Sequence, residues 1–189
     1  MTFFEYAMVM VSIMLAIGLS QLLRAIGDII LSPRRHWPHL GWIAAMVIVT
    51  VQVWWAYWDL HEGVDWTFGL YGFVLVGPAL ILVAANLLVP VARTEETDWR
   101  EHFEGARRPF FTVLITFQVF AILFTWIAMD VSLLRPFRLA QASLVCIVLV
   151  ALVSRSPRVQ AAAPAAYLTG VIAANILFRA YPAAFGLGS

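Results

Sequence analysis

The sequence predicts an all-α fold: a polytopic integral membrane protein whose single domain, residues 1–189, contains six transmembrane helices. Three observations predict it. Hydrophobic residues make up 62% of the chain and charged residues 12%, and the mean hydropathy is +0.87. Water-soluble domains are about half apolar and about one quarter charged. The charged residues also cluster between apolar runs of about 20 residues, the length that crosses a bilayer.

The apolar runs give the helices in order, with approximate bounds. Residues with turn or helix-breaking character separate them, as in "SPRRHWP", "HEGVD", "DVSLLRP" and "SRSP". The first run contains Glu5 and lacks a basic start, which argues against a cleaved signal peptide. The predicted helices are 3–31, 37–60, 66–90, 108–129, 136–154 and 158–181.

The longest connection, residues 91–107, is predicted to be a cytoplasmic loop. Trp99 and Phe103 lie four positions apart within it, which indicates an amphipathic helix on the inner membrane surface. Orientation follows from arginine, which accumulates on the cytoplasmic side. The loops after helices 1, 3 and 5 carry Arg34, Arg35, Arg93, Arg100, Arg107, Arg108, Arg155 and Arg158, whereas the other side carries Arg135, Arg138 and Arg179. Both termini are therefore predicted on the outer side of the cell inner (plasma) membrane.

The same composition excludes several classes of function. A net charge of +1 gives no basic face for nucleic acid. All twelve cationic residues are arginine, so a lysine Schiff base with retinal or pyridoxal cannot form. Cys146 is the single cysteine, and an intrachain disulfide is impossible. The four histidines, 36, 39, 61 and 102, lie in loops or at predicted helix ends, so no axial haem pair is expected. No cofactor and no catalytic signature is predicted.

Residues 51–68, "VQVWWAYWDLHEGVDWTF", combine aromatic and polar side chains at the predicted outer turn between helices 2 and 3. Trp and Tyr concentrate at a membrane interface without any ligand, and Trp37 and Trp42 are predicted to mark the opposite interface. Three Trp in five positions cannot all face lipid, so part of this surface should pack on helix 3 or a second subunit. The polar groups are either a solvated turn or a candidate metal site formed by Asp59, His61, Glu62 and Asp65.

Each predicted helix carries one amide in its membrane interior. These side chains either hydrogen-bond neighbouring helices or line a path or pocket. Gln118 lies near the predicted midplane and should face the interior, with Gln52 and Gln141 as amides of comparable depth. Gly77 and Pro78 could kink helix 3 and expose carbonyls. The path or pocket candidates are Gln118, Gln52, Asn86, Gln141, Asn175, Gln21 and Thr125.

Two further patterns have both a functional and a plain interpretation. Arg24 and Asp28 lie four apart on helix 1 and form either an inner gate or an interfacial anchor. "VAANLL" at 83–88 and "IAANIL" at 172–177 indicate either an inverted repeat of three plus three helices or chance similarity in an Ala-rich chain.

The function predicted from these patterns is a passive channel or facilitator for an ion or small solute through an amide-lined path. The alternative is an accessory or sensor membrane subunit that packs against a partner protein. A membrane enzyme acting on lipid ranks third. The expected partners are the lipid bilayer and a second copy of the chain, most simply in a dimer, because pairs such as Gly170 and Ala174 favour close helix contact.

Overall fold

The computed structural model describes residues 2–60, 65–90, 97–127, 132 and 137–180, with side chains up to Ile176 apart from those of Asp59 and Phe137. This part of the chain is all-α and has six helices. Five of them are long and apolar enough to cross a membrane, and α5 is a shorter apolar helix. The helices are α1 (Phe3–Leu31), α2 (Trp37–Ala56), α3 (Phe68–Leu88), α4 (Trp99–Ile127), α5 (Phe137–Val153) and α6 (Pro157–Ala180). The predicted multi-pass helical fold is confirmed.

The start of α4 differs from the prediction. The helix begins at Trp99 rather than at 108, because Asp98 caps it: its carboxylate accepts the backbone N–H groups of Arg100 and Glu101 at 2.9 and 3.0 Å. Trp99 and Phe103 are only 2% and 1% exposed. The helix predicted through Trp99 and Phe103 is present, but it is the first part of α4, and its apolar stripe packs inside the protein rather than on a lipid surface. An apolar stripe at i and i+4 serves a lipid surface and a protein neighbour equally well, and here the neighbour is protein.

The helices pack as a closed series. Helix α1 packs on α2 and α3, α3 on α4, α4 on α5, α5 on α6, and α6 returns to α2. Helix α2 also touches α3 and α4. We call the end that holds residues 32–36, 89–90, 97–98 and 154–156 the arginine-rich end. The opposite end holds the 3-10 turn Tyr57–Leu60, which follows α2 directly, and we call it the tryptophan-rich end.

Two glycines allow close helix contacts. A Cβ at Gly41 of α2 would lie 3.0 Å from ring carbons of Pro164 in α6, and a Cβ at Gly77 of α3 would lie 2.8 Å from a ring carbon of Phe120 in α4. Backbones approach most closely where no side chain intervenes, as is usual for helix pairs in membranes. Gly170 is used in the same way against Leu144 of α5. Gly170 therefore contacts its own chain at this position.

Side chains from other helices satisfy the last carbonyls of α5. Gln160 donates its amide N–H to Ala151 O at 2.7 Å and to Ser154 O at 2.8 Å. Arg107 also donates to Ser154 O. The carbonyls at a helix C-terminus lack partners within the helix, and a cation is favourable there. These contacts join α4, α5 and α6 at the arginine-rich end.

Candidate functional site

Gln118 faces the interior, as predicted. It is 7% exposed, and its amide N–H donates to the hydroxyl of Tyr167 in α6 at 2.8 Å. The prediction that its partner is a polar group is confirmed, but that group is a tyrosine rather than Gln52 or Gln141. The position of a residue along a predicted helix gives its depth in the membrane but does not tell which helix it faces. At Gln118, α4 faces α6.

Aromatic rings close the space around this pair. Trp42 is fully buried, with its ring centroid 5.4 Å from that of Tyr167, 5.7 Å from Phe110 and 5.0 Å from Phe111. Its prediction as an interface residue is wrong, because the α2 face that carries it points into the bundle. The indole N–H of Trp42 is buried and has no hydrogen-bond partner in the described part of the chain. The middle of the bundle is a packed aromatic core with one polar pair.

A second polar cluster lies between α4 and α5 toward the tryptophan-rich end. Arg138 is half-buried and donates to the hydroxyl of Thr125 at 2.7 Å, to the amide oxygen of Gln141 at 2.8 Å and to the carbonyl of Ile122 at 3.3 Å. The Thr125 hydroxyl also lies 2.9 Å from the carbonyl of Ala121 in its own helix. Two of the predicted path residues thus meet around an arginine that was not predicted with them.

The other amides lie apart from both clusters. Asn175 donates to the carbonyl of Val171 in its own helix at 2.9 Å. Asn86 is exposed on the surface of α3, and Gln21 and Gln52 are half-buried on α1 and α2. The described amides therefore do not converge on one pocket. A role for them in a path stays a prediction.

Pro78 does free a carbonyl in α3, but a neighbour satisfies it. Proline has no N–H, so the carbonyl four residues earlier, that of Val74, loses its helical hydrogen bond. The hydroxyl of Tyr57 donates to Val74 O at 2.7 Å, and its ring stacks on Phe124 at a centroid distance of 5.0 Å. The carbonyl predicted to be exposed is thus enclosed by the 3-10 turn that follows α2.

The tryptophan-rich end agrees with the belt interpretation in part. Trp54, Trp55 and Trp58 are each about 60% exposed. The indole N–H of Trp54 donates to Ser12 at 3.3 Å, and Trp58 meets Phe4 edge-on at 6.4 Å. Trp54 and Trp58 thus contact α1, which packs along α2, whereas the prediction named helix 3 or a second subunit.

Most of the predicted metal site lies outside the described residues. His61, Glu62 and the side chain of Asp59 lie outside the described residues, while Asp65 is described and exposed. Among the described residues, no three His, Cys, Asp or Glu side chains form a group that could hold a metal ion. The predicted gate residues, Arg24 and Asp28, are both exposed on α1, and their role as a gate stays a prediction.

At the arginine-rich end, the structure brings together three histidines that are separate in the sequence. His39 is fully buried, and its Nε2 and Nδ1 lie 2.7 Å from Leu88 O of α3 and 3.2 Å from Trp99 O of α4. A neutral imidazole has one N–H, so it donates to one of these carbonyls, and the shorter distance favours Leu88. Leu88 O ends α3 and has no helical partner, which makes His39 its cap. The ring of His102 lies 5.8 Å from that of His39.

His36 completes this group, which we call the histidine cluster: His36, His39 and His102. The ring of His36 lies 5.6 Å from that of Phe103, which in turn lies 5.2 Å from His39. Burial is the main reason that the pKa of His36 is lowered from its usual value, and the charge of Arg100 lowers it further, against Glu104 and Asp98. His36 Nδ1 and His102 Nε2 are buried without a hydrogen-bond partner among the described residues.

An open cavity of about 430 Å³ adjoins the histidine cluster. Polar side chains of the start of α4 form one wall, and His102 is shared between the cavity and the cluster. The lining residues are Pro90, Thr97, Asp98, Glu101, His102, Gly105 and Ala106. The sequence predicts each histidine in a loop or at a helix end. The apolar neighbours of His39 in "HWPHLGW" were the signal that its ring is buried.

Comparisons with protein-family models, with curated proteins and with solved structures found no match for this chain.

Proposed function

We propose that the chain is an accessory or sensor subunit of the cell inner (plasma) membrane, with both termini outside, and that it is not an enzyme. The observation that carries this proposal is that the interior polar groups are hydrogen-bonded to neighbouring helices or to their own helix. Gln118 is paired with Tyr167, Gln141 and Thr125 with Arg138, and Asn175 with its own helix. A conducting path needs polar groups that water reaches in series, whereas these stabilise helix contacts.

The packing around these groups supports the same proposal. Phe117, Phe120 and Phe124 are buried along α4, and Phe110 and Phe111 pack on Trp42. The most distinctive chemistry, the histidine cluster with its cavity, lies at the arginine-rich end, which the arginine count predicts on the cytoplasmic side. A membrane partner, or a second copy in a dimer, would contact the apolar outer surface of the bundle.

Two measurements on the full chain test this function. Purified protein in lipid vesicles should leave the leak of K⁺, Cl⁻ and glycerol at the level of empty vesicles. Affinity purification after crosslinking in native membranes should recover a defined stoichiometric membrane partner or a dimer of the chain. Flux well above empty vesicles, together with recovery of monomer alone, would overturn the proposal.

The second candidate is the passive channel, and the cluster of Arg138, Thr125 and Gln141 is the observation that favours it. A half-buried arginine between two helices could select anions at one mouth of a path. In that case Gln118→Leu should abolish vesicle flux while the protein stays folded. The inverted repeat remains part of this candidate only. Helix α1 packs along α3, whereas the corresponding helices of the second half, α4 and α6, meet mainly around Gln118 and Tyr167.

A further inference from the structure

We propose that the histidine cluster is a proton-sensitive latch, which holds the start of α4 against α2 and α3 when neutral and releases it when the arginine-rich end is acidified. The biological role of this latch rests on the sensor function proposed above, and the stimulus that is sensed is the proton. The physical switch itself concerns the isolated protein and can be tested without any partner.

The latch joins three helices through one ring. His39 of α2 lies between the last carbonyl of α3, at Leu88, and the first carbonyl of α4, at Trp99. The rings of Trp99 and Phe103 pack against it at centroid distances of 5.6 and 5.2 Å. These contacts place two turns of α4 over the ends of α2 and α3. The contact surface is aromatic, and a neutral His39 donates to one of the two carbonyls while its other ring nitrogen faces the second.

Protonation changes this balance because the cluster contains three imidazoles and no carboxylate is hydrogen-bonded to any of them in the described structure. Each proton adds a cation close to the others, since the rings of His39 and His102 are 5.8 Å apart. The charged groups near the cluster are Asp98, Arg100 and Glu104 of the α4 start, with Arg34 beside Asp98, and Glu101 lines the cavity that His102 shares. The groups of α3 that His102 meets are the backbone carbonyls of Leu87 and Leu88.

The direction of the pH effect follows from burial, since His36 Nδ1 and His102 Nε2 are buried with no acceptor for an added proton among the described residues. The pKa of His36 is lowered in the folded protein, first by burial and then by Arg100, so the folded state favours the neutral ring. Such a group stabilises the fold fully above its unfolded pKa of 6.5, and this stability is lost as the pH falls below that value. The latch is closed at neutral pH and opens on acidification.

Protons have a route to the latch. The cavity beside α4 is open to the surface, and His102 lines it while touching His39 on its other side. Of the three rings, His36 and His102 are half-buried and His39 is fully buried. The half-buried rings would take up the first protons, and opening would then expose His39.

Trp99 provides a local reporter. Its indole is 2% exposed and lies 5.6 Å from the His39 ring. The fluorescence of the wild type minus that of Trp99→Phe isolates its signal from the other tryptophans. In detergent this difference signal should shift to longer wavelength and lose intensity between pH 7.5 and 5.0, with a midpoint below 6.5, as the ring leaves its site. Hydrogen exchange of amides 99–107 should accelerate over the same range.

Neutral replacements test the cause. The double variant His36→Gln, His102→Gln keeps the cap at His39 and should flatten the pH response of Trp99. His61→Gln alters the histidine next to the tryptophan-rich turn in sequence and should leave the response intact. A pH-independent Trp99 signal in the wild type, or an unchanged response in the double variant, would overturn the latch. If the double variant does not fold, the single variants His36→Gln and His102→Gln must each reduce the response, and equality of both with the wild type would overturn it.

These outcomes are separable from those of the proposed function. A latch that responds in a protein that conducts solute and is recovered only as a monomer would leave the latch standing and remove the accessory role. A chain that recovers a defined partner but shows no Trp99 response would keep the accessory role and remove the latch.

Discussion

The hydroxyl of Tyr57 replaces the hydrogen bond that Pro78 removes from α3, and this predicts a specific energetic coupling between two residues distant in sequence. Tyr57→Phe keeps the ring and its stacking on Phe124 but deletes the donor to Val74 O, 2.7 Å away. Val74 is fully buried and Tyr57 is 3% exposed, so water cannot replace the lost bond. The carbonyl is then left without a donor.

The magnitude follows from the cost of that orphaned group. A buried acceptor without a partner lowers the free energy of unfolding by about 1–3 kcal/mol. Hydrogen bonds measured inside membrane proteins contribute about 0.6 kcal/mol on average, with a maximum of about 1.7 kcal/mol. We expect Tyr57→Phe to lower the free energy of unfolding by about 1.5 kcal/mol. Pro78→Ala restores an N–H at position 78 that can donate to Val74 O. In that background Tyr57→Phe should cost less than about 0.5 kcal/mol, a coupling of about 1 kcal/mol.

Unfolding in mixed detergent and SDS, followed by circular dichroism for the wild type, both single variants and the double variant, measures this coupling. Equal costs of Tyr57→Phe with proline and with alanine at position 78 would refute the reasoning. It would mean that the tyrosine stabilises the fold through its ring and not by satisfying the carbonyl.

Three further predictions concern packing and topology. Gln118→Leu should destabilise the protein by about 1 kcal/mol in the same unfolding assay, because Tyr167 loses its partner; no loss would place the pair outside the packed interior. Gly77→Ala should lower the free energy of unfolding by about 1–3 kcal/mol, since the new methyl group would lie 2.8 Å from a ring carbon of Phe120 in α4. The control Gly72→Ala adds a methyl group that meets no heavy atom within 4 Å, and it should be neutral or stabilising. Reporter tags after Ser189 and in place of residues 95–98 should lie on opposite sides of the membrane, with the tail outside. Labelling of both tags on the same side would contradict the orientation predicted from the arginines.

The start of α4 is the helix boundary that the sequence pattern did not predict. Hydropathy located the remaining helix ends within a few residues, because a run of about 20 apolar residues has one stable arrangement in a bilayer. The start of α4 lies in a charged segment, "TDWREHFEGARR", where the same stripe of Trp99 and Phe103 suits a lipid surface or a protein groove. In the folded protein this stripe packs into the groove formed by the ends of α2 and α3, and not on lipid.

The sequence by itself determined that this is a multi-pass helical membrane protein, since its apolar content leaves no soluble alternative. It also determined that Gln118 must be paired, because an amide at membrane depth is costly alone. Only the tertiary structure decided the partners: Tyr167 for Gln118, Tyr57 for the carbonyl freed by Pro78, and two carbonyls for His39. The physical reason is that helical periodicity fixes which residues share a face, whereas the packing of α2 among its neighbours fixes which faces meet.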